Sequence, residues 1–505
     1  MSAIGSILSN SGALAALNGI ASAQNANNTY ENQLSSGLSI NSPSDNPAGF
    51  ITAQGFTSQV NGITQASSNA NEGISLLQTA QGAVQQQLNV AQNLNSIAVQ
   101  AANGTQTPQE AQSLQGVVSQ LTGQITSIAN QTQFNNINLL DGTFTGVQFQ
   151  IGANEGQTLS LSISSTTANS IGLNSLKAGT AAASAIYGTA SGDSAAVLAA
   201  GTATASTGNA FAAGTLTVNG SNGSAKVTTT ASESAASIAT AVNALTNQTN
   251  VSAQATTNLV VAATGGAGGS YNFTLSNGTS TATKNAVNIS ATGTSGLISA
   301  INNQTAKTGI TATKNSSGNV VLNQSSGQNI AITGVTQGIF TVANSVSTSN
   351  IAFGGTTTGT TFTAETAGAT LVAQGKVSFQ SDQSFSVAGA SNIGLASQSN
   401  LTSLSSINVS TTQGANLAIN VVKFSIQGLN NLGGQLGASQ QRLQATLNNL
   451  TTTNTNLQNG LATIQDANIP QVSQNLTQSQ IQAQAGVAAL KSSSTLQQAY
   501  LSLLP

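Results

Sequence analysis

The chain contains no cysteine, no histidine and no tryptophan. Without cysteine there is no disulfide and no thiolate chemistry. Without histidine there is no imidazole for a catalytic triad or a His-ligated metal. Carboxylate-only metal sites would still be open, but the eleven acidic residues do not cluster along the chain. Charge as a whole is scarce: nine Lys/Arg and eleven Asp/Glu make 4% of 505 residues, against roughly 25% in ordinary proteins. A net charge of −2 gives no electrostatic handle for nucleic acid or an anionic membrane. No basic residue precedes Lys177, so cleaved export signals, which open on Lys or Arg, are not expected. No apolar run reaches the roughly 18 residues of a membrane span. The expectation is a protein with no cofactor and no metal, and not an enzyme.

What is present is a repeat of seven. From Asn46 to Ala102, every seventh residue from Phe56 is apolar: Phe56, Ile63, Ala70, Leu77, Val84, Ala91 and Ala98. A second row at the partner spacing is patchier: Val60, Ser67, Ile74, Gln81, Leu88 and Asn95. A sustained seven-residue beat is a packing seam between long helices. Pro47 suits the first turn, with Asp45 or Asn46 as cap, and Asn103-Gly104 suits the stop. At 1.5 Å per residue the helix is about 85 Å long, which asks for long partner helices. The far end supplies one: from Ala415 the beat returns at Val422, Leu429, Leu436, Leu443, Leu450, Leu457 and Ile464.

Each end also carries a thinner stripe. Residues 4–38 place Ala13, Leu17, Ile20, Ala23, Tyr30, Leu34 and Leu38 at helical spacing, with a polar gap at Asn27. After a break at Asp466–Pro470, Val472, Leu476, Ala483, Val487 and Leu490 mirror it. Burying one Leu stabilises by roughly 1.5–3 kcal/mol, while ordering one residue costs about 1–2 kcal/mol. So few large apolar residues cannot order such an arm alone, and order is expected only in an assembly. Between the long helices, Thr107-Pro-Gln-Glu110 reads as a capping box opening a second helix with Leu114, Val118, Leu121, Ile125 and Ile128 on one face. Asp141-Gly142 then turns into short strands, Phe144 to Ile151 and Leu159 to Ile163.

From about 166 to 400 Gly, Ala, Ser and Thr dominate and a two-copy repeat is visible. The run from Val242-Asn243 to Ala253 returns as Ile301-Asn302 to Ala312, each copy followed by an apolar stretch, Leu259–Val261 or Val320–Leu322. The unit reads as a short helix, a turn and two strands. Two copies are too few for a solenoid, so β-rich compact domains are expected. Gly265-Gly-Ala-Gly268-Gly lacks the Lys-Ser/Thr of a phosphate loop and reads as a turn.

Leu34-Ser-Ser-Gly37-Leu-Ser-Ile40-Asn41-Ser-Pro-Ser-Asp45-Asn-Pro-Ala48-Gly49 resembles bacterial flagellin. So do Gly62–Ser75, Ala98-Val-Gln100-Ala-Ala-Asn103, Gln131-Thr-Gln-Phe134-Asn, Ile151–Gly156 and Leu436-Gly-Ala-Ser-Gln-Gln-Arg442-Leu. The resemblance covers about 1–165 and 401–505. It implies an α+β multidomain chain, with paired N- and C-terminal long helices forming a coiled-coil-like core around a β-rich inserted outer region. The expected segments are an inner-tube helix over 1–45, a helical core segment with a β-hairpin over 46–165, and surface-exposed outer domains with two helix-strand repeats over 166–400. A second core segment over 401–463 and an inner-tube helix over 464–505 complete them. The seam residues are Phe56, Ile63, Ala70, Leu77, Val84 and Leu88 with the seven from Val422 to Ile464. The inner-tube residues are Leu17, Ile20, Leu34, Leu38, Leu476, Val487 and Leu490.

The implied job is a subunit that polymerises into the extracellular helical flagellar filament for motility. Its export is unfolded, through the flagellar type III secretion apparatus. The implied partners are further copies of itself, a filament cap protein, a hook-filament junction protein and an export chaperone. The alternative is the hook-filament junction protein itself, which shares the paired ends. Charged positions of the family are altered here: the stretch before Ala98-Val-Gln reads Gln92-Asn93-Leu-Asn95-Ser96, and a Glu of the second helix is Val117. Lys423 stands at an acidic position of the family and Gly433 at a usual Arg. So little charge suggests a polymer indifferent to pH from about 2 to 7, since carboxylates titrate near 4. Asn93, Ile97 and Val117 fall where the vertebrate innate receptor grips flagellins. Weak or absent activation is the expected outcome in a receptor-reporter cell assay, and full potency would refute it.

Overall fold

The computed structural model describes residues 10–178, 213–230, 233–263, 269–277, 284–314, 318–337, 340–342, 370–373, 375–390 and 395–502. In chain order the helices are α1 (Ser11–Ser36), α2 (Pro47–Ala102), α3 (Pro108–Gln131), α4 (Ala235–Asn243), α5 (Thr246–Thr249), α6 (Gly293–Asn302), α7 (Thr305–Thr308), α8 (Thr412–Gln465) and α9 (Ile469–Ser502). Long helices thus stand toward both ends and the strands concentrate between them. The glycine cluster at Gly265–Gly268 lies outside the described residues. The chain forms two compact units: residues 1–78, 146–162 and 437–505, and residues 79–145 and 163–436.

The first unit shows why α1 and α2 are separate helices. Gly37 adopts φ +73° and ends α1, a left-handed conformation that glycine adopts at least cost. The Asp45 carboxylate then accepts from the Asn41 and Ser42 backbone N–H groups at 2.9 and 2.8 Å. Asn46, not Asp45, caps α2: its side-chain oxygen accepts from Gly49 N–H at 3.0 Å. Asp45 instead closes the turn before it. A hairpin, Val147–Gln150 with Thr158–Leu161, pairs Phe149 with Leu159. Asn69 donates to the Gln150 carbonyl at 2.9 Å and fastens the hairpin to α2. These strands are shorter than the alternating pattern suggested. Phe144 and Ile163 lie in the second unit outside any strand, 1% and 0% exposed, with Ile163 N–H donating to the Phe144 carbonyl at 2.9 Å.

In the second unit α3 begins with the anticipated capping box. Glu110 N–H donates to the Thr107 hydroxyl, and the Glu110 carboxylate accepts from Thr107 N–H at 2.8 Å. Gln115 reaches across to the segment before α8, donating to the Ile407 carbonyl and accepting from Val409 N–H at 2.7 Å. A two-stranded pairing not foreseen, Gln133–Phe134 with Ile137–Asn138, turns on Asn135 and Asn136, both at positive φ. Asparagine tolerates that conformation better than most residues.

The repeat is real, and its two copies close differently. Asn243 accepts from Ala253 N–H at 2.7 Å and donates to the Ala253 carbonyl at 2.9 Å. Asn302 makes the same pair with Ala312 at 2.7 and 2.9 Å. Thr246 and Thr305 bond to the Val251 and Ile310 carbonyls, and Thr249 and Thr308 accept from Val251 and Ile310 N–H. Asn250 and Gly309 supply the left-handed residue at equivalent positions. In the second copy the strand Ile310–Lys314 turns back into Val320–Gln324, pairing Ala312 with Leu322. In the first copy Ser252–Ala263 is one continuous strand of 12 residues rather than the two expected. The residue equivalent to Leu322 is Phe379, which pairs with Ala253 from the strand Lys376–Ser381. The second copy is therefore inserted before the first is closed. The far half of the long strand has other work: Leu259 pairs with Leu322 and joins the second copy's core. Each copy keeps its own core, one around Ile238, Val242 and Phe379, the other around Leu297, Ile301 and Phe273.

The first copy is tied to α8 through Asp382, 8% exposed. Its carboxylate accepts from Asn250 at 2.7 Å and from Asn431 of α8 at 3.0 Å, and its carbonyl accepts from Asn174 at 3.1 Å.

Three carboxylates hold turns, and their titration carries a sign. Asp45 is held below its ordinary 3.8 by the Ser42 and Asn41 backbone N–H groups and the Ser42 hydroxyl. Asp141 is held below 3.8 by the Thr143 hydroxyl, then by Thr143 N–H and the Asn138 amide. Glu110 is held below 4.5 by the Thr107 backbone N–H and hydroxyl. A lowered folded value contributes stability that is present above the ordinary value and lost as pH falls through the lowered one. These three turns set an expected acid sensitivity of the single chain below the ordinary carboxyl range. The expected outcome is a melting temperature that drops between about pH 5 and pH 2. Combining Asp45→Asn, Glu110→Gln and Asp141→Asn should lower it at neutral pH and flatten the acid limb. An unchanged acid limb in that variant would show these turns are not responsible.

Candidate assembly site

Within the first unit α1 and α9 run antiparallel, and polar side chains fix their register. Asn10 caps α1, accepting from Ala13 N–H at 2.8 Å. It also accepts from the Ser493 hydroxyl at 2.9 Å and donates to Gln497 at 3.0 Å. Seventeen residues on, at the polar gap noted in the sequence, the buried Ser479 hydroxyl bonds to Asn27. At the other end Ser39 N–H donates to the Gln465 carbonyl at 2.6 Å, and Ala467 N–H to the Gly37 carbonyl at 2.9 Å. Leu38 bridges Asp466. Gly486 lies against Ile20: a Cβ there would stand 2.8 Å from Ile20 Cγ1.

This pairing buries little. Leu17 remains 50% exposed, Leu34 39%, Val487 56% and Ile481 60%. Ile20, Leu38, Leu476 and Leu490 are half-buried. Ala23, Val472 and Ser479 are buried. Two helices alone cannot cover both faces of each other. The sides away from the contact keep an apolar surface whose full burial would stabilise by roughly 1.5–3 kcal/mol per large side chain.

The long helices are different. In the first unit Gly73 of α2 meets Leu443 of α8, where a Cβ would be 3.0 Å from Leu443 Cδ1, and Gly460 of α8 meets the Phe56 ring. Ile63, Ala66 and Leu450 form a cluster with Ala153 and Leu457 packed on it. The helices are thus antiparallel, with paired residue numbers summing near a constant. Ala70, Leu77 and Leu443 are buried; Phe56, Leu457 and Ile464 are half-buried. In the second unit Val84, Leu88, Val422, Leu429 and Leu436 are buried.

The second row of the α2 seam is not the one that spacing and large side chains suggested. In that row Leu88 is buried, while Val60, Ser67, Ile74, Gln81 and Asn95 are only half-buried. The row three residues after the first is exposed at Gln59 but buried from there on: Ala66, Gly73, Ala80, Gln87, Leu94 and Ala101. Small residues there let a neighbouring helix come close, so the row carries little hydrophobic signal. Gln87 fits because its amide donates to the Ile125 carbonyl at 3.0 Å and to the Thr166 carbonyl at 3.4 Å. Toward the end of α2, Asn93 is exposed and Ile97 half-buried, while Val117 on α3 is 42% exposed. Among the described residues no group of acidic residues could hold a metal ion, and no helix is long and apolar enough to cross a membrane.

Comparison with known proteins places relatives beside this geometry. The model of the bacterial flagellin N-terminal helical region matches residues 7–145, and that of the C-terminal helical region matches residues 419–504. The chain is 37% identical over 485 residues to the B-type flagellin of Pseudomonas aeruginosa, covering 94% of this chain and 95% of that one. It is 40% identical over 172 residues to the phase 2 flagellin of Salmonella typhimurium, 34% of this chain and 33% of that one. Among solved structures, FliC from Burkholderia pseudomallei aligns with 73% of this chain and 99% of its own at 19% identity, with a TM-score of 0.31.

The close approach at Gly486 sets a test of the arm pairing. Gly486→Leu should force Ile20 aside at a cost of about 1–3 kcal/mol. Amide hydrogen exchange of residues 11–36 should accelerate while α2 is unaffected. Equal protection in the variant would mean the arms do not meet at this point.

Proposed function

The chain belongs to the bacterial flagellins, and from that premise we propose that it is a filament subunit whose assembly is driven by covering the apolar sides of α1 and α9. The observation that carries this reading is the contrast between the two helix pairs. Ala70, Leu77 and Leu443 are buried in the single chain, whereas Leu17, Leu34, Ile481 and Val487 are 39–60% exposed on the arms. Many copies placing these arms together would supply what one copy lacks, so Leu17, Ile20, Leu34, Leu38, Leu476, Val487 and Leu490 are assigned to an inner tube. The seam from Phe56 and from Val422 is assigned to the surrounding shell, and the β-rich insertion to the outside.

The polymer is a structural component of the flagellum, an extracellular appendage of motility. We assign unfolded export through the flagellar secretion channel, and with it a chaperone for the exported chain, a cap at the growing tip and a junction protein at the base. Arms that, among the described residues of α1 and α9, bury only Ala23, Val472 and Ser479 suit a segment that orders last. The flagellin family models and the relative matched over 94% of the chain favour the filament over the junction. At Asn93, Ile97 and Val117 no charged side chain is available to a receptor.

Purified full-length chain seeded with filament fragments should elongate into filaments visible by electron microscopy. A variant lacking residues 1–40 should remain monomeric under the same conditions with its outer region folded. Filaments formed by that variant would remove the arms from the assembly mechanism.

A further inference from the structure

The chain has one arginine, Arg442. It stands on α8 at the rim of a groove of about 720 Å³ in the first unit, lined by Gln59 and Ile63 of α2, Ala153 of the hairpin turn, and Asn449 and Leu450 of α8. Arg442 is exposed, while Ile63 and Leu450 in the groove are 5% and 8% exposed. The guanidinium finds no hydrogen-bond or ion-pair partner among the described residues. Arginine presents a planar fork of donors matched to a carboxylate. Leaving it unpaired in a chain with so few charges gives up the best ionic contact available.

Carboxylates are in excess on the helical part of the chain. Residues 1–165 and 401–505 carry Glu31, Asp45, Glu72, Glu110, Asp141, Glu155 and Asp466 against only Lys423, Arg442 and Lys491. Asp45, Glu110 and Asp141 are already engaged in holding their own turns. The side chains of Glu31, Glu72, Glu155 and Asp466 have no such partner among the described residues.

We propose that the Arg442 groove is an interface between copies: a second copy of this chain seats against it and supplies one of these four free carboxylates to the guanidinium. This rests on the filament reading and names one of its contacts. The exposed Gln59 and Asn449 meet the neighbour's side chains over a floor closed by Ile63 and Leu450, and the arginine fixes their register. It makes the pairing charge-specific in a lattice otherwise held by neutral groups. A second copy is the occupant because a polymer presents it at high local concentration and because the surplus charge of this chain is of the complementary sign.

The test uses full-length chain elongating on filament seeds. Arg442→Gln should raise the critical concentration about tenfold with the monomer's melting temperature unchanged, because the side chain is exposed. Arg442→Lys should fall between the two. Arg442→Glu should not elongate alone, and should regain elongation when combined with one of Glu31→Arg, Glu72→Arg, Glu155→Arg or Asp466→Arg. Wild-type elongation by Arg442→Gln would overturn the proposal, as would failure of all four reversals to rescue Arg442→Glu. Failure of the wild-type chain to elongate would instead count against the filament reading.

Discussion

Close approach of helices through small residues is the constraint on which this molecule turns. On α2 four members of the buried row, Ala66, Gly73, Ala80 and Ala101, have almost no side chain to contribute. What it provides is nearness, and Leu443 against Gly73 shows the result. On the arms the same economy has a different outcome. Gly486 lets Ile20 in, but no row of large residues surrounds that contact. The long pair therefore holds itself within one chain. The short pair keeps Leu17, Leu34, Ile481 and Val487 exposed and gains most from neighbours. One device, applied with and without a leucine row beside it, separates what folds from what assembles.

Much of this was legible before any coordinates. The seven-residue beats from Phe56 and Val422 are carried by large side chains, which periodicity detects. The capping box at Thr107 is local and was found where its four residues stand. The buried second row of α2 is hard to read from sequence because, Leu94 apart, its alanines, glycine and glutamine carry no hydrophobic signal. Gln87 is accepted only because carbonyls from Ile125 and Thr166 meet its amide, and nothing near it in sequence announces them. The repeat shows in its apolar positions, yet the bonds shared by its two copies are made by Asn243 with Thr246 and Asn302 with Thr305. That the first copy closes with Phe379, far along the chain, is a non-local pairing that spacing cannot reveal. The exposed arginine beside a groove was likewise invisible, because the groove needs the hairpin turn and α8 together.

Neutral hydrogen bonds take over the role that salt bridges have elsewhere. A typical one adds only about 0.5–1.5 kcal/mol, but a buried group left without its partner costs about 1–3 kcal/mol. Such contacts select a register more than they add stability. Asn10 with Ser493 and Gln497, Ser479 with Asn27, and Gln115 with the backbone at 407 and 409 each join segments hundreds of residues apart. Each is satisfied in one alignment only. A sliding of α9 along α1 by one residue would break the contacts at both ends of the arm together.

This division of labour explains where charge survives. Asp45, Glu110 and Asp141 sit at chain reversals, where a carboxylate gathers several backbone and hydroxyl donors that a neutral side chain could not satisfy equally. Asp382 gathers amides from Asn250 and Asn431 at the tie between the first repeat and α8. Asn250 is also the left-handed residue closing α5. The residue whose backbone ends a helix inside the inserted domain thus engages, through its side chain, the carboxylate that meets α8. Opening the turn at Asn250 would therefore remove one of the two amides that hold Asp382, leaving Asn431 as its remaining contact from α8. At Asp45, Glu110, Asp141 and Asp382 one carboxylate organises several donors at once, while the long-range ties of the arms are made by amides and hydroxyls.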